Sequence, residues 1–110
     1  MDEGTERRLL GLIGLGVRAR NAIVGVERVR DAARRGKLKV AIVAPDASRH
    51  SLEKVVPLLE ARRVRVISGP PAAALGSAVG RETTAVVGIT DTALAKGVKA
   101  LIEASEQRGR

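Results

Sequence analysis

Helical and extended hydrophobic patterns alternate along the whole chain. Apolar residues recur at helical spacing in five segments, and short apolar runs separate these segments. The first helical segment can be capped by Thr5 and extends to Val17, and the last follows a cap at Thr90 or Asp91. The apolar runs predict strands at 21–24, 39–44, 64–67 and 83–89.

This alternation predicts an α/β protein, an α/β/α sandwich in a single domain of residues 1–110. Where a helix connects two strands we expect a parallel pair, so the sheet should be mainly parallel. Glycines in the first helix should allow another element to approach closely, whereas Pro57 should kink or shorten the third helix. Residues 1–4 and 105–110 are expected to fray.

The composition narrows the possible chemistry. The core must be aliphatic, because the 45% hydrophobic residues include no Phe, Trp or Tyr. The absence of Cys excludes disulfides and thiolate metal sites, and with His50 as the one histidine we expect no metal and no cofactor. No apolar run approaches the ~18 residues of a membrane span, and the N-terminus has no secretory pattern. The sequence therefore predicts a cytoplasmic protein without membrane contact.

The chain is strongly basic, with 20 Lys and Arg residues against 12 acidic ones and a formal net charge of +8. Eight of the basic residues lie between Arg18 and Lys39, with two acidic residues among them. This concentration predicts a polyanionic partner, RNA or DNA first, although a solvated basic surface would have the same composition. Because aromatic stacking is excluded, we expect phosphate contacts and recognition of the shape of a folded RNA.

No group of residues forms a catalytic pattern. Asp46, Ser48 and His50 are close in sequence, but their alternate spacing does not set nucleophile, base and orienting group in series. Asp46 and Ser48 are instead expected to accept hydrogen bonds from backbone amides at the start of the third helix. The segment GLIGLG follows a helical pattern rather than a strand, which disfavours a dinucleotide loop. We therefore predict that the protein is not an enzyme.

Three segments together resemble a known family. They are VGVERVRDAARRGKLKVAIVAPDAS at 24–48, VPLLEARRVRVI at 56–67 and LGSAVGRETTAVVGITD at 75–91. Over roughly Leu9 to Leu101 the chain is similar to the ribosomal-protein family of kink-turn RNA binders, the L-seven-Ae and L-thirty-e type, and to its bacterial branch in particular. The resemblance implies a three-layer α/β/α sandwich around a small mixed sheet.

The resemblance also implies an RNA site at the start of the second helix. In the family this segment reads G-x-N-E-x-x-K, where Asn and Glu meet the guanines of sheared pairs and Lys meets phosphate. Gly25 matches the motif. At the Asn, Glu and Lys positions this chain has Glu27, Arg28 and Asp31.

The second part of the implied site is the loop before the last strand, where the family has an acidic residue between two apolar ones. Glu82 matches the acidic position, whereas Arg81 and Thr83 replace the apolar residues. Together with the substitutions in the helix, these changes predict that strict kink-turn recognition is altered while RNA binding is retained.

We therefore predict a small, monomeric RNA-binding protein of the ribosome or translation machinery. Its partners would be structured RNA, ribosomal or otherwise folded, together with ribosomal or translation proteins. The expected RNA-binding residues are Gly25, Val26, Glu27, Arg28, Arg30, Asp31, Lys37, Arg81, Glu82 and Thr83. Two alternatives stay open: a protein-interaction scaffold on the same fold that binds no RNA by itself, and an enzyme or its substrate-binding module.

Overall fold

Helices and strands form where the hydrophobic pattern predicts them. The computed structural model describes residues 1–108. Its elements are, in order, α1 (Glu3–Arg18), β1 (Ala22–Val24), α2 (Val26–Arg34), β2 (Val40–Val43), α3 (Arg49–Ala61), β3 (Arg65–Ser68), α4 (Ala72–Ala78), β4 (Val86–Ile89) and α5 (Thr92–Arg108). Residues 3–4 and 105–108, which we expected to fray, belong to helices, and residues 109–110 lie outside the described part.

The four strands form one mixed sheet in the order β1-β4-β2-β3. Strand β4 lies between β1 and β2 and is antiparallel to both, with Ile89 opposite Ala22 on one side and Val40 on the other. Strands β2 and β3 pair in parallel. The prediction of a mainly parallel sheet is wrong. Strands β1, β2 and β3 do run in one direction, but the last strand inserts between the first two. The small mixed sheet implied by the resemblance is confirmed.

Helices cover both faces of the sheet and enclose two aliphatic cores. Because side chains alternate along a strand, β2 contributes Val40 and Ile42 to one core and Ala41 and Val43 to the other. The first core is closed by α1, α4 and α5, and the second by α2 and α3. The three-layer α/β/α sandwich is thus confirmed.

Glycines in α1 allow two other helices to approach closely. A Cβ atom at Gly14 would lie 3.0 Å from the carbonyl oxygen of Ala78 in α4. A Cβ atom at Gly16 would overlap the side chain of Leu94 in α5. The expected close approach is confirmed, and the GLIGLG segment is part of a packed helix.

Two of the predicted helix signals act differently in the structure. Asp2, not Thr5, caps α1, and its Oδ1 accepts from the Thr5 amide at 2.7 Å while Thr5 itself is buried. Pro57 does not shorten α3, which continues to Ala61. Pro57 is exposed, so its ring meets no packed neighbour. The carbonyl one turn earlier, which would have accepted the hydrogen bond that proline cannot donate, can be hydrated. Of the two residues predicted to cap the last helix, Asp91 does so: its Oδ2 accepts from the Leu94 amide at 2.8 Å.

Candidate nucleic-acid interface

The start of α2 is shaped by Gly25. Its φ of 105° and ψ of 150° belong to a backbone region that is open almost exclusively to glycine. The Gly25 amide donates to the Val86 carbonyl at 3.1 Å, which ties the start of α2 to β4. No atom lies within 4 Å of the position that a Cβ atom would take, and no side chain caps the first-turn amides. The first turn of α2 is therefore accessible to an incoming anion.

The loop before β4 is held against α4 by Gly76. A Cβ atom at Gly76 would lie 2.7 Å from the Cα atom of Thr83 and 2.8 Å from the carbonyl of Glu82. The Arg81 amide donates to the Gly76 carbonyl at 2.8 Å. The backbone of the loop thus packs directly on the helix, whereas the side chains of residues 81–83 are exposed.

The two halves of the predicted site lie side by side. Because β4 is antiparallel to β1, the loop before β4 lies where β1 leads into α2. Arg28 and Arg81 line one groove along β1, together with Arg20. We call the segments Gly25–Arg28 and Arg81–Thr83 the recognition end. Its formal charges cancel, since each segment contains one acidic and one basic residue.

Arg28 and Arg30 point away from each other, although the sequence grouped them. Side chains two positions apart along an α-helix point about 200° apart around its axis. Arg30 faces α3, with a side chain 25% exposed that pairs with Glu27 at 3.7 Å, and Glu27 also pairs with Lys54 of α3 at 3.3 Å. Val26 is half-buried against the core between α2 and α3. Of these residues, Arg28 is the one that faces the groove of Arg81.

Asp31 and Lys37 lie farther along α2. Asp31 pairs with Arg35 at 3.2 Å, and both line a second groove with Arg28 and Lys37. Lys37 follows the C-terminal end of α2, which is a helix of 9 residues. At about 1.5 Å per residue this places Lys37 more than ~13 Å along the helix from Gly25. The structure therefore separates Lys37 from the recognition end.

Eight exposed basic residues lie together at the opposite end of the sheet. Strands β1, β2 and β3 start there, and the helices that precede them end there. We call the exposed basic residues of this region the basic end. They are Arg18, Arg20, Arg34, Arg35, Lys37, Lys39, Arg62 and Arg63.

Two of these residues lie outside the basic cluster that the sequence singled out: Arg62 and Arg63. Their shared signal is that basic residues follow each of the helices that lead into a parallel strand. Sequence reasoning that compared the ends of α1, α2 and α3 could have found it.

The structure supports no catalytic role for the Asp46, Ser48 and His50 segment. Ser48 caps α3 by accepting from the Ser51 amide at 3.1 Å, as predicted. Asp46 Oδ1 accepts from the Ala72 amide at 2.8 Å and so caps α4 rather than α3, which corrects the prediction. Thr83 lines a groove with Asp46 and Ser48, on the side away from Arg28.

Within residues 1–108, no three His, Asp or Glu side chains are grouped in a way that could hold a metal ion. No helix in this described range has both the length and the apolar character needed to cross a bilayer.

A small mixed sheet between two helical layers, with a glycine-led helix beside the loop before the last strand, is the arrangement that the resemblance implied. The profile of the Ribosomal protein L7Ae/L30e/S12e/Gadd45 family matches residues 7–102. The chain belongs to this family.

Individual relatives agree with this assignment. The RNA-binding protein YlxQ of Enterococcus faecium is 34% identical over 103 residues, which span 94% of this chain and 99% of that protein. The RNA-binding protein YlxQ of Bacillus subtilis (strain 168) is 29% identical over 92 residues, 84% of this chain and 92% of that protein. A solved structure of the 15.5kD RNA binding protein of Giardia lamblia superposes with a TM-score of 0.77 at 25% identity, covering 97% of this chain and 92% of that one.

Proposed function

We propose that this chain binds a folded RNA of the kink-turn class through its recognition end, with contacts altered from the family motif. The observation that carries the proposal is the shared groove of Arg28 and Arg81, which joins the start of α2 to the loop before β4. Family membership and the RNA-binding relatives support RNA binding in general. The partner would be an RNA backbone that bends sharply enough to reach both segments.

Arg28 and Arg81 are the residues suited to hold phosphate. Both side chains are exposed and, among the described residues, neither makes an ion pair. A guanidinium group donates two parallel hydrogen bonds to a phosphate, which fixes both position and orientation. The open space above Gly25 would let the RNA backbone approach the first-turn amides of α2 between the two arginines.

Glu27 is the residue suited to read a base. Its side chain is 68% exposed, and its carboxylate can accept hydrogen bonds from the Watson–Crick edge of a guanine, which presents two N–H donors. In the family motif a carboxylate follows one residue later. We infer that Glu27 takes this accepting role, whereas Arg28 takes the phosphate contact. Lys54 and Arg30 hold Glu27 from the α3 side and limit its rotation.

The test compares three labelled RNAs at one salt concentration: a kink-turn, the same RNA with its sheared G·A pairs disrupted, and a plain duplex. We expect the unmodified protein to prefer the intact kink-turn, and Glu27→Gln to lose most of this preference. The matched control is Glu53→Gln, because Glu53 is also an exposed, ion-paired carboxylate but lies on α3. Equal binding of the three RNAs by the unmodified protein would contradict kink-turn recognition.

We further propose that the RNA belongs to the cytoplasmic translation machinery, since the family description is that of ribosomal proteins. The protein should then co-sediment with ribosomal subunits or their precursors in a sucrose gradient of cell extract. Nuclease treatment should release it. Sedimentation only at the top of the gradient at low salt would contradict this association.

One observation favours the protein scaffold as a second candidate function. The substituted motif residues are already paired within the chain, Glu27 with Arg30 and Lys54, and Asp31 with Arg35. A protein that binds none of the three RNAs at low salt, but retains a protein partner after nuclease treatment, would support the scaffold.

A further inference from the structure

The helices that lead into β1, β2 and β3 end in the same way at the basic end. In each, the second residue after the helix has a left-handed backbone, with φ of 64° at Arg20, 70° at Gly36 and 57° at Arg63. The following amide donates back to the last turn, for example Asn21 to Gly16 at 2.7 Å and Val64 to Leu59 at 2.9 Å. This is the Schellman ending, for which glycine is the favoured residue.

Arginine occupies two of these three positions against the preference of the backbone. A left-handed conformation is costly for any residue with a Cβ atom, and arginine has no short side chain to compensate. At the recognition end, α4 makes the same ending with Gly80, whose φ is 77°. The two left-handed arginines, Arg20 and Arg63, lie at the basic end, in the tight turns that follow α1 and α3. Their charged side chains project from these turns. Strain that is retained at exposed positions indicates a function for the side chain.

The basic end is a continuous surface. The Thr90 amide donates to the Asn21 carbonyl at 2.9 Å and the Lys39 amide to the Ile89 carbonyl at 2.8 Å, so the end of β4 links the start of β1 to the start of β2. Arg62 Nη1 donates to the Arg34 carbonyl at 3.3 Å, which joins the ends of α2 and α3.

The positive charge of the basic end is largely uncompensated. Among the described residues, Arg35 is the member that makes an ion pair, with Asp31. Of the other carboxylates near this surface, Asp91 caps α5 and Glu60 lies one turn before Arg63.

The basic end and the recognition end are connected along α2 and β1. Arg28 and Arg81 share a groove with Arg20, and Arg28 shares a second groove with Lys37. An RNA seated at the recognition end can therefore continue along either groove to the basic end. The large exposed apolar side chains among the described residues are Met1 and Leu15, and Leu15 borders this surface one turn before Arg18. A surface of guanidinium and ammonium groups with one apolar side chain at its edge suits phosphates better than a protein partner.

We propose that the basic end is a second RNA-binding surface, which holds the phosphate backbone of a helix adjoining the structure that the recognition end reads. The proposal rests on RNA binding by this chain, but not on kink-turn specificity. The recognition end would select the RNA by shape, whereas the basic end would add affinity for any flanking duplex. Arg20 and Arg63 are its central residues.

The experiment replaces both left-handed arginines and measures RNA binding over a salt series. The variant Arg20→Gly/Arg63→Gly removes two charges and relieves the backbone, so it should fold at least as stably as the unmodified protein. The variant Arg20→Lys/Arg63→Lys keeps the charge. The control Arg7→Gln/Arg8→Gln removes two exposed arginines from the first half of α1, where Arg7 lies beside Glu3 and Glu6. The probes are a plain RNA duplex of 20 base pairs and a kink-turn flanked by the same duplex.

We expect the glycine variant to bind both probes more weakly and by the same factor. Its slope of log affinity against log salt should be shallower by about 1.4–1.8, since each lost phosphate contact removes roughly 0.7–0.9. The lysine variant and the α1 control should keep the slope of the unmodified protein. This pattern supports the proposal whether or not the kink-turn is preferred.

Unchanged affinity and slope in the glycine variant would overturn the proposal, even if the kink-turn is still preferred and the proposed function stands. Weakened retention of the glycine variant on polyglutamate, with RNA binding unchanged, would overturn it in favour of an acidic protein partner. Failure of the unmodified protein to bind either probe at low salt would overturn both this proposal and the proposed function.

Discussion

The two ends of the sheet are built from different residues. At the recognition end, Gly25 and Gly76 set the backbone of α2 and of the loop before β4, and the formal charges cancel. At the basic end, eight exposed cations project from helix ends and strand starts, and arginine occupies two positions that favour glycine. The first end is organised by backbone shape and the second by charge. Changes at each end should therefore have separable effects.

The largest effect is expected from Gly76→Ala. The added methyl group would press on the backbone of Thr83 and Glu82, which can move only if the loop moves. We expect a loss of about 3 kcal/mol in the free energy of unfolding, as for other overpacked sites. Preference for the kink-turn should fall, whereas duplex binding at the basic end should persist. Chemical denaturation and the three-RNA assay measure these effects.

A matched control for Gly76→Ala is Gly11→Ala, which lies in α1 with no neighbour near the added methyl group. It should raise stability by about 0.5–1 kcal/mol, because alanine is the better helix residue. Equal stabilities of the two variants would show that the loop does not depend on the contact with Gly76.

Gly25→Ala should have the next largest effect. The methyl group meets no atom, so the cost is that of the backbone alone, about 2 kcal/mol for a conformation closed to other residues. Gly36→Ala is the comparison at the basic end and should cost about 1 kcal/mol, since a left-handed helix end is less restrictive. Thermal unfolding followed by circular dichroism distinguishes the two. A smaller loss at Gly25 than at Gly36 would contradict the special geometry assigned to the start of α2.

The variants Arg28→Gln and Arg30→Gln compare the RNA contribution of the two faces of α2. Arg28 faces the groove and Arg30 faces α3. We expect Arg28→Gln to weaken kink-turn binding about tenfold, the value of one charge-assisted hydrogen bond. Arg30→Gln should change RNA affinity less, although it removes a contact with Glu27. Binding titrations at constant salt make the comparison, and equal losses would argue against a one-sided site.

The smallest effect is expected from Arg20→Gly. Relief of the left-handed backbone exceeds the added flexibility of glycine in the unfolded chain, so the free energy of unfolding should rise by about 0.5–1 kcal/mol. The midpoint of thermal unfolding should increase by about 3–6 °C. Scanning calorimetry measures this shift. A lower midpoint would mean that the arginine side chain stabilises the folded protein, which would weaken the case for strain retained for binding.

The fold was largely accessible from the sequence because hydrophobic periodicity determines which segments are helices and strands. The strand order was not, since the insertion of β4 between β1 and β2 depends on packing between distant segments. Residue patterns alone therefore predicted a mainly parallel sheet, and the family resemblance supplied the mixed one.

The candidate site was predicted in part. The motif led to Gly25, Arg28 and the loop at Arg81, which the structure brings together. Of the charge cluster between Arg18 and Lys39, the sequence assigned Arg28, Arg30 and Lys37 to this site, but six of the eight basic residues, Lys37 included, lie at the opposite end of the sheet. Linear proximity conceals this division because α2 spans the two ends. Basic residues after each helix were the sequence signal for Arg62 and Arg63, and the structure shows that α3 ends beside α2.

The most direct measurement is the ratio of affinities for a duplex-flanked kink-turn and a plain duplex, followed over a salt series for the unmodified protein. If shape is read at one end and charge at the other, both affinities should fall steeply with salt while the kink-turn stays preferred. The kink-turn slope should exceed the duplex slope by no more than about 1.4–1.8, the contribution of the phosphate contacts of Arg28 and Arg81. A ratio of one at every salt concentration, or a preference that disappears as salt rises, would contradict the division of labour between the two ends.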